Sequence, residues 1–103
     1  METQLIDNSA ERRYEYDVDG NLAAFEDYVL EGDVIAFNHT ESVAGAAPGS
    51  GTALVRGILD EAKQRGLQVL PNCGFVAAII RKNPADYLAL VPADKRARYD
   101  LPA

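Results

Sequence analysis

The chain is poor in the residues from which most metal and redox sites are built: of its 103 residues one is cysteine, Cys73, one is histidine, His39, and none is tryptophan. A lone cysteine cannot close an internal disulfide, and with a single histidine it leaves no zinc-binding cluster, so no metal is expected. Cations are in the minority and scattered. Ten Lys and Arg against sixteen Asp and Glu give a formal net charge of −6. Counterion release from nucleic acid needs clustered Lys and Arg, so nucleic-acid binding is not expected. No apolar run approaches the ~20 residues that cross a bilayer, and Met1-Glu2-Thr3-Gln4-Leu5 has neither the basic nor the apolar region of a secretory signal. The expectation is a cytoplasmic protein with no membrane partner.

What is present is 48% hydrophobic content, on a length suited to one domain with one core. No repeat, linker or low-complexity segment interrupts it. A single domain over residues 1–103 is expected, with its core between about 12 and 91 and a polar tail, 92–103, that covers the surface or frays.

Arg12 to Val18 alternates, with Tyr14, Tyr16 and Val18 on one face, and predicts a half-buried strand that forms an exposed edge. Asp19-Gly20 supplies a two-residue hairpin turn into a return strand, Asn21 to Leu30. Glu31-Gly32-Asp33 is a second turn, before a third strand from Val34 to Glu41. Strict alternation there puts Ile35, Phe37, His39 and Glu41 on one face, with His39 and Glu41 roughly 7 Å apart. From Thr52 to about Arg65 apolar residues recur at helical spacing, and Gly66 terminates the helix. Leu67 to Leu70, closed by Pro71, reads as a strand parallel to the third, reached by a crossover. Phe75, Val76, Ile79 and Ile80 mark a second helix ending near Asn83, because Pro84 disfavours helical geometry before it. Tyr87 to Val91 packs back as a short helix or strand. The fold class is α/β in the α+β sense: an antiparallel meander, a β-loop-α-β crossover and a second helix.

Three features carry candidate chemistry. The loop Ala46-Ala47-Pro48-Gly49-Ser50-Gly51-Thr52 enters a helix whose first N–H groups are unpaired, which suits an anion such as pyrophosphate or simply begins a helix. It lacks the Gly-Lys-Ser/Thr ending of a Walker loop. Cys73 lies at the start of the second helix, where the dipole favours a thiolate; it is a nucleophile or a small buried hydrophobe. His39 is a base working near neutral pH, or a half-buried histidine bonded to a neighbour. Glu41 orients the His39 ring, shares its role, or is a solvated strand-end carboxylate.

Taken in order, Asp19-Gly20, His39-Thr40-Glu41, Gly49 and Gly51, Pro71-x-Cys73-x-Phe75-Val76 and Asn83-Pro84-x-x-Tyr87 resemble the GCN5-related N-acetyltransferase superfamily, in its short, single-domain YjdJ-like branch. The resemblance spans about Arg13 to Val91. It implies an acetyl-CoA-binding protein that transfers an acetyl group to an amine, or a non-catalytic acyl-CoA-binding or sensing module. By the resemblance, Gly49, Ser50, Gly51 and Thr52 hold the CoA pyrophosphate, while Glu41, Ser42 and Val43 contact pantetheine and offer an oxyanion-stabilising N–H. Ala46-x-x-Gly49-x-Gly51 keeps the loop's two small positions, but Ala46 replaces its polar first residue and Pro48 has no N–H to give. Cys73 accepts the acetyl group as a thioester, with His39 as base, or protonates the departing CoA thiolate. Tyr87 ranks second as acid. Asn83 stands where the family often has histidine before proline, and can donate one hydrogen bond to CoA. The acceptor is an amine, such as a protein or peptide lysine or a polyamine.

Overall fold

Turn chemistry sets the strand order. In the computed structural model, which describes residues 1–103, Asp19 and Gly20 have φ of 51° and 82°, the left-handed pair that a primed two-residue hairpin requires. That turn folds β2 (Arg13–Val18) against β3 (Asn21–Glu31), and Gly32, at φ 58°, helps turn β3 into β4 (Val34–Ser42). Helix α1 (Ser50–Arg65) then crosses to β5 (Gln68–Pro71), which runs parallel to β4, with Val34 opposite Gln68 and Phe37 opposite Pro71. The chain thus forms the α+β meander and crossover that its sequence pattern predicts.

The sheet has one strand more than the pattern predicts. β1 (Thr3–Asn8) pairs antiparallel with β2 from Thr3 opposite Val18 to Asn8 opposite Arg13, so the sheet order is β1-β2-β3-β4-β5. The expected exposed edge at Arg12 to Val18 is therefore covered, and β1 is the edge. Thr3-Gln4-Leu5-Ile6-Asp7-Asn8 lacks clear alternation; its conformation comes from pairing and from Leu5 reaching beneath α1. A Cβ added at Gly57 would lie 3.3 Å from a Leu5 methyl, so glycine permits that approach.

Leu54, Val55, Ile58 and Leu59 of α1 are almost fully buried, in one cluster with Tyr14, Ile35 and Phe37 of the sheet and with Val76 and Ile80 of α2 (Gly74–Lys82). Each such side chain contributes about 1.5–3 kcal/mol by leaving water. Pro84 ends α2 and opens a one-turn helix, α3 (Pro84–Tyr87), continued by a 3-10 turn at Leu88–Leu90, so the Tyr87 to Val91 segment is helical. Residues 92–103 are tied to the rest of the chain by hydrogen bonds and one buried side chain. Arg81 donates to the carbonyls of Tyr99 and Asp100, Arg96 donates to that of Val91, and Leu101 is buried in the core cluster. No helix is long and apolar enough to cross a membrane.

Candidate functional site

An extra residue in β4 decides which side chains meet. Asp27 is opposite His39 and Tyr28 opposite Phe37, so Asn38 is left between them as a β-bulge. One inserted residue reverses the alternation beyond it. Ile35 and Phe37 face the core, but His39 and Glu41 turn to the opposite face, each with its side chain 57% exposed. The expectation that all four share one face is corrected accordingly. His39 Nε2 and Glu41 Oε1 remain paired at 3.2 Å, and the tautomer decides the donor. Thr40 and Ser42 take the core-side positions, opposite Glu26 and Ala24.

Cys73 is the N-cap of α2, partly buried against the core. Its N–H donates to the Phe37 carbonyl at 2.9 Å, one bond beyond the last paired residues of β4 and β5. Past that point the two strands part. The Cys73 sulfur lies 3.1 Å from Thr40 Oγ1, and no hydrogen bond joins it to His39. The Asn72 amide donates to Asn38 Oδ1 at 2.9 Å, tying the bulge to the segment that carries Cys73.

Of the three strand-end residues, Val43 has its N–H committed to the Ala23 carbonyl at 2.8 Å. Backbone groups alternate in direction along a strand, so the Ser42 amide faces the other way, into the gap where β5 no longer pairs. In the loop, the Ala46 N–H donates to the Val43 carbonyl, and both the N–H and the hydroxyl of Ser50 donate to the Ala47 carbonyl. Gly49 supplies the left-handed N-cap, φ 84°, and its carbonyl receives the first helical bond, from Ala53. The amides of Gly51 and Thr52 are the unpaired donors of the first turn.

Gly51 is where these parts close on one another. A Cβ there would lie 3.2 Å from Ser42 Oγ and 3.6 Å from the Phe75 ring, so the start of α1, the end of β4 and the first turn of α2 meet around it. In α2 the first helical bond runs from the Ala77 N–H to the Cys73 carbonyl, leaving Gly74, Phe75 and Val76 with free amides. Two helix starts, each the positive end of its dipole, therefore lie beside the Cys73–Thr40 pair, just past the point where β4–β5 pairing ends. Phe75 is exposed.

One further residue belongs here that sequence reasoning passed over. Glu26 is completely buried; its Oε2 accepts the His39 N–H at 3.0 Å, and its Oε1 accepts the Thr40 hydroxyl. Burial pushes its carboxyl up to about 7, against the downward pull of those two hydrogen bonds. The signal was a carboxylate at an inward position of an alternating strand, between Ala24 and Tyr28. Asn83 and Tyr87 are occupied elsewhere. Asn83 accepts from Arg56 and donates to the Ile79 carbonyl at the C-terminal end of α2. The Tyr87 hydroxyl donates to Asp60 of α1, and burial, then Asp60, raise its pKa.

No curated protein matches the chain. A family model described as GCN5-related N-acetyl-transferase matches residues 13–90. The match runs from the start of β2 into the turn after α3 and takes in the bulge, the glycine loop and Cys73. The chain belongs to the GCN5-related N-acetyltransferase family.

Proposed function

We propose that the protein binds acetyl-CoA and transfers its acetyl group to an amine. The observation that carries this reading is the convergence of the end of β4, the start of α1 at Gly51 and the start of α2 at Cys73, just past the point where β4–β5 pairing ends. The Gly51 and Thr52 amides, with Gly49 and Ser50 shaping the turn, receive the pyrophosphate. Glu41, Ser42 and Val43 line the pantetheine arm, and the Ser42 N–H serves the oxyanion formed when the thioester carbonyl is attacked. Cys73 either takes the acetyl group as a thioester or protonates the departing CoA thiolate. His39 and Glu41, on the other face, are better placed to receive an incoming ammonium and remove its proton than to activate Cys73. Asn83 acts by holding α2 to α1.

An acidic chain favours a cationic acceptor, so a protein or peptide lysine or a polyamine is the acceptor class. A working thiol belongs in a reducing compartment, and we place the protein in the cytoplasm. A second reading, an acyl-CoA-binding or sensing module without turnover, is favoured by the loop. Pro48 has no N–H, and the Ala46 and Ser50 amides are already bonded within it. Single-turnover mass spectrometry with labelled acetyl-CoA separates the two. Label on Cys73 or on an added amine supports transfer, bound but unmodified CoA supports the sensor, and absence of binding at millimolar CoA overturns both.

A further inference from the structure

A fully buried carboxyl, a hydroxyl and a thiol stand in one hydrogen-bonded row that crosses from β3 to the start of α2. Glu26 and Thr40 are directly opposite on β3 and β4, the Thr40 hydroxyl donates to Glu26 Oε1, and the same Thr40 oxygen lies 3.1 Å from the Cys73 sulfur. Having given its own proton to Glu26, the Thr40 oxygen has lone pairs left, and the S–H is the donor that meets them. We propose that Glu26 is the proton store of Cys73, reached through the Thr40 hydroxyl.

The transfer balances within the row. The Cys73 S–H bond breaks and its proton passes to Thr40 Oγ1, while the Thr40 O–H proton passes to Glu26 Oε1. The products are a thiolate, an intact threonine and a neutral carboxylic acid. Run in reverse, the same row returns a proton to the thiolate. Glu26 acts through Thr40 and is a positioning residue; Cys73 is the group that meets substrate. The arrangement gives a use to a carboxyl at a position where its neighbours along β3, Ala24 and Tyr28, face the core.

The groups facing Glu26 are few. Tyr14 is its partner on β2, with a hydroxyl engaged by Glu61 and Arg65 of α1. Asp27 is its neighbour on β3 and opposes ionisation, whereas His39 on β4 gives its N–H and its positive charge when protonated. The buried face of α1 carries no charged side chain, nor is there an acidic residue in the first turn of α2. Burial leaves Glu26 protonated more readily than an exposed carboxyl, which is what a group that holds and returns a proton near neutrality needs.

This inference concerns the Cys73 assigned a role under the proposed acetyl transfer, and it is tested without acetyl-CoA, so the two fail separately. The reading is the rate of Cys73 alkylation by iodoacetamide against pH, on the full chain. The expected wild-type profile has an inflection near pH 7 in addition to that of the thiol. Thr40→Val cuts the link with little change in volume; it should abolish the inflection and slow alkylation at pH 7 by about tenfold, the effect of one unit in the apparent midpoint. Thr40→Ser keeps a hydroxyl and should restore both. Glu26→Gln should abolish the inflection as Thr40→Val does. If Glu26→Gln fails to fold, ¹³C-carboxyl NMR of Glu26 decides: its titration midpoint should move in Cys73→Ser when Thr40 is present and stay fixed in the Thr40→Val background. A profile unchanged in Thr40→Val, or a Glu26 midpoint indifferent to Cys73, overturns the proposal.

Discussion

Thr40 and Cys73, thirty-three positions apart, bring hydroxyl and sulfur to 3.1 Å, while His39, the residue before Thr40, is turned to the far face of the sheet. The bulge at Asn38 makes this arrangement. It separates the thiol from the imidazole and leaves the His39 ring on the opposite face of the sheet.

His39→Gln should leave stability within about 0.5 kcal/mol of wild type, because the His39–Glu41 pair is exposed and such pairs contribute little. Acetyl transfer to an amine should fall at least about tenfold near neutral pH, the lower end for losing a general base being larger still. Urea unfolding and a pH–rate profile are the measurements. Full transfer activity at an unchanged pH optimum would remove His39 from the role of base.

Gly51→Val should destabilise by about 1–3 kcal/mol, since its side chain must push Ser42 and Phe75 aside. Gly51→Ala is the milder probe. Better helix propensity, about 1 kcal/mol, offsets a contact that needs only a few tenths of an ångström of adjustment. Both variants should weaken CoA in calorimetry, Val more than Ala, because the new methyl groups enter the gap. Tighter CoA binding by Gly51→Val would contradict the placement of the loop at the site.

Stability should fall as pH rises from about 4.5 to 7. Folding raises the Glu26 pKa from 4.5 to about 7, so in that window the folded state keeps a proton that the unfolded state has released. The effect is absent below the window and complete above it, where it reaches at most about 3 kcal/mol. Urea unfolding across the range, compared with Glu26→Gln, measures it: the difference between the two proteins should shift in favour of the variant as pH rises. Parallel curves would show that Glu26 does not titrate in this window.

Arg65→Ala should cost about 1–2 kcal/mol at neutral pH, discounted for its partial exposure. Arg65 donates to the Tyr14 hydroxyl at 3.0 Å and lies 3.7 Å from Glu61 and 3.9 Å from Asp7, so its loss leaves two carboxylates and a buried phenol without their cation. The Tyr28 hydroxyl donates to the same Asp7 at 2.5 Å, and burial, then Asp7, push its pKa up to about 12. Thermal unfolding of Arg65→Ala, Glu61→Gln and the double variant checks this: the double variant should lose less than the sum of the two single losses. Strictly additive losses would assign Arg65 a packing role alone.

Much of the fold was legible because it is written in local chemistry. Asp19-Gly20 can take two positive φ values, Pro84 cannot continue α2, and Leu54, Val55, Ile58 and Leu59 recur at the helical period. β1 was not legible, because Thr3 to Asn8 owes its conformation to β2 and to the space under Gly57. The candidate site was legible in part. Cys73 and the glycine loop stand out by residue type and position, but the face on which His39 lies depends on a bulge that no residue announces.

The sequence by itself determined the meander, the crossover, the helices and the presence of one thiol at a helix start, since turns, periodicity and helix stops are properties of neighbouring residues. The tertiary structure alone decided the partnerships. Register across β3 and β4 set Glu26 beside Thr40, and the end of β4–β5 pairing set Thr40 beside Cys73. Which side chains meet depends on how strands far apart in the chain align, and one inserted residue is enough to exchange the face that reaches the core for the face that reaches solvent.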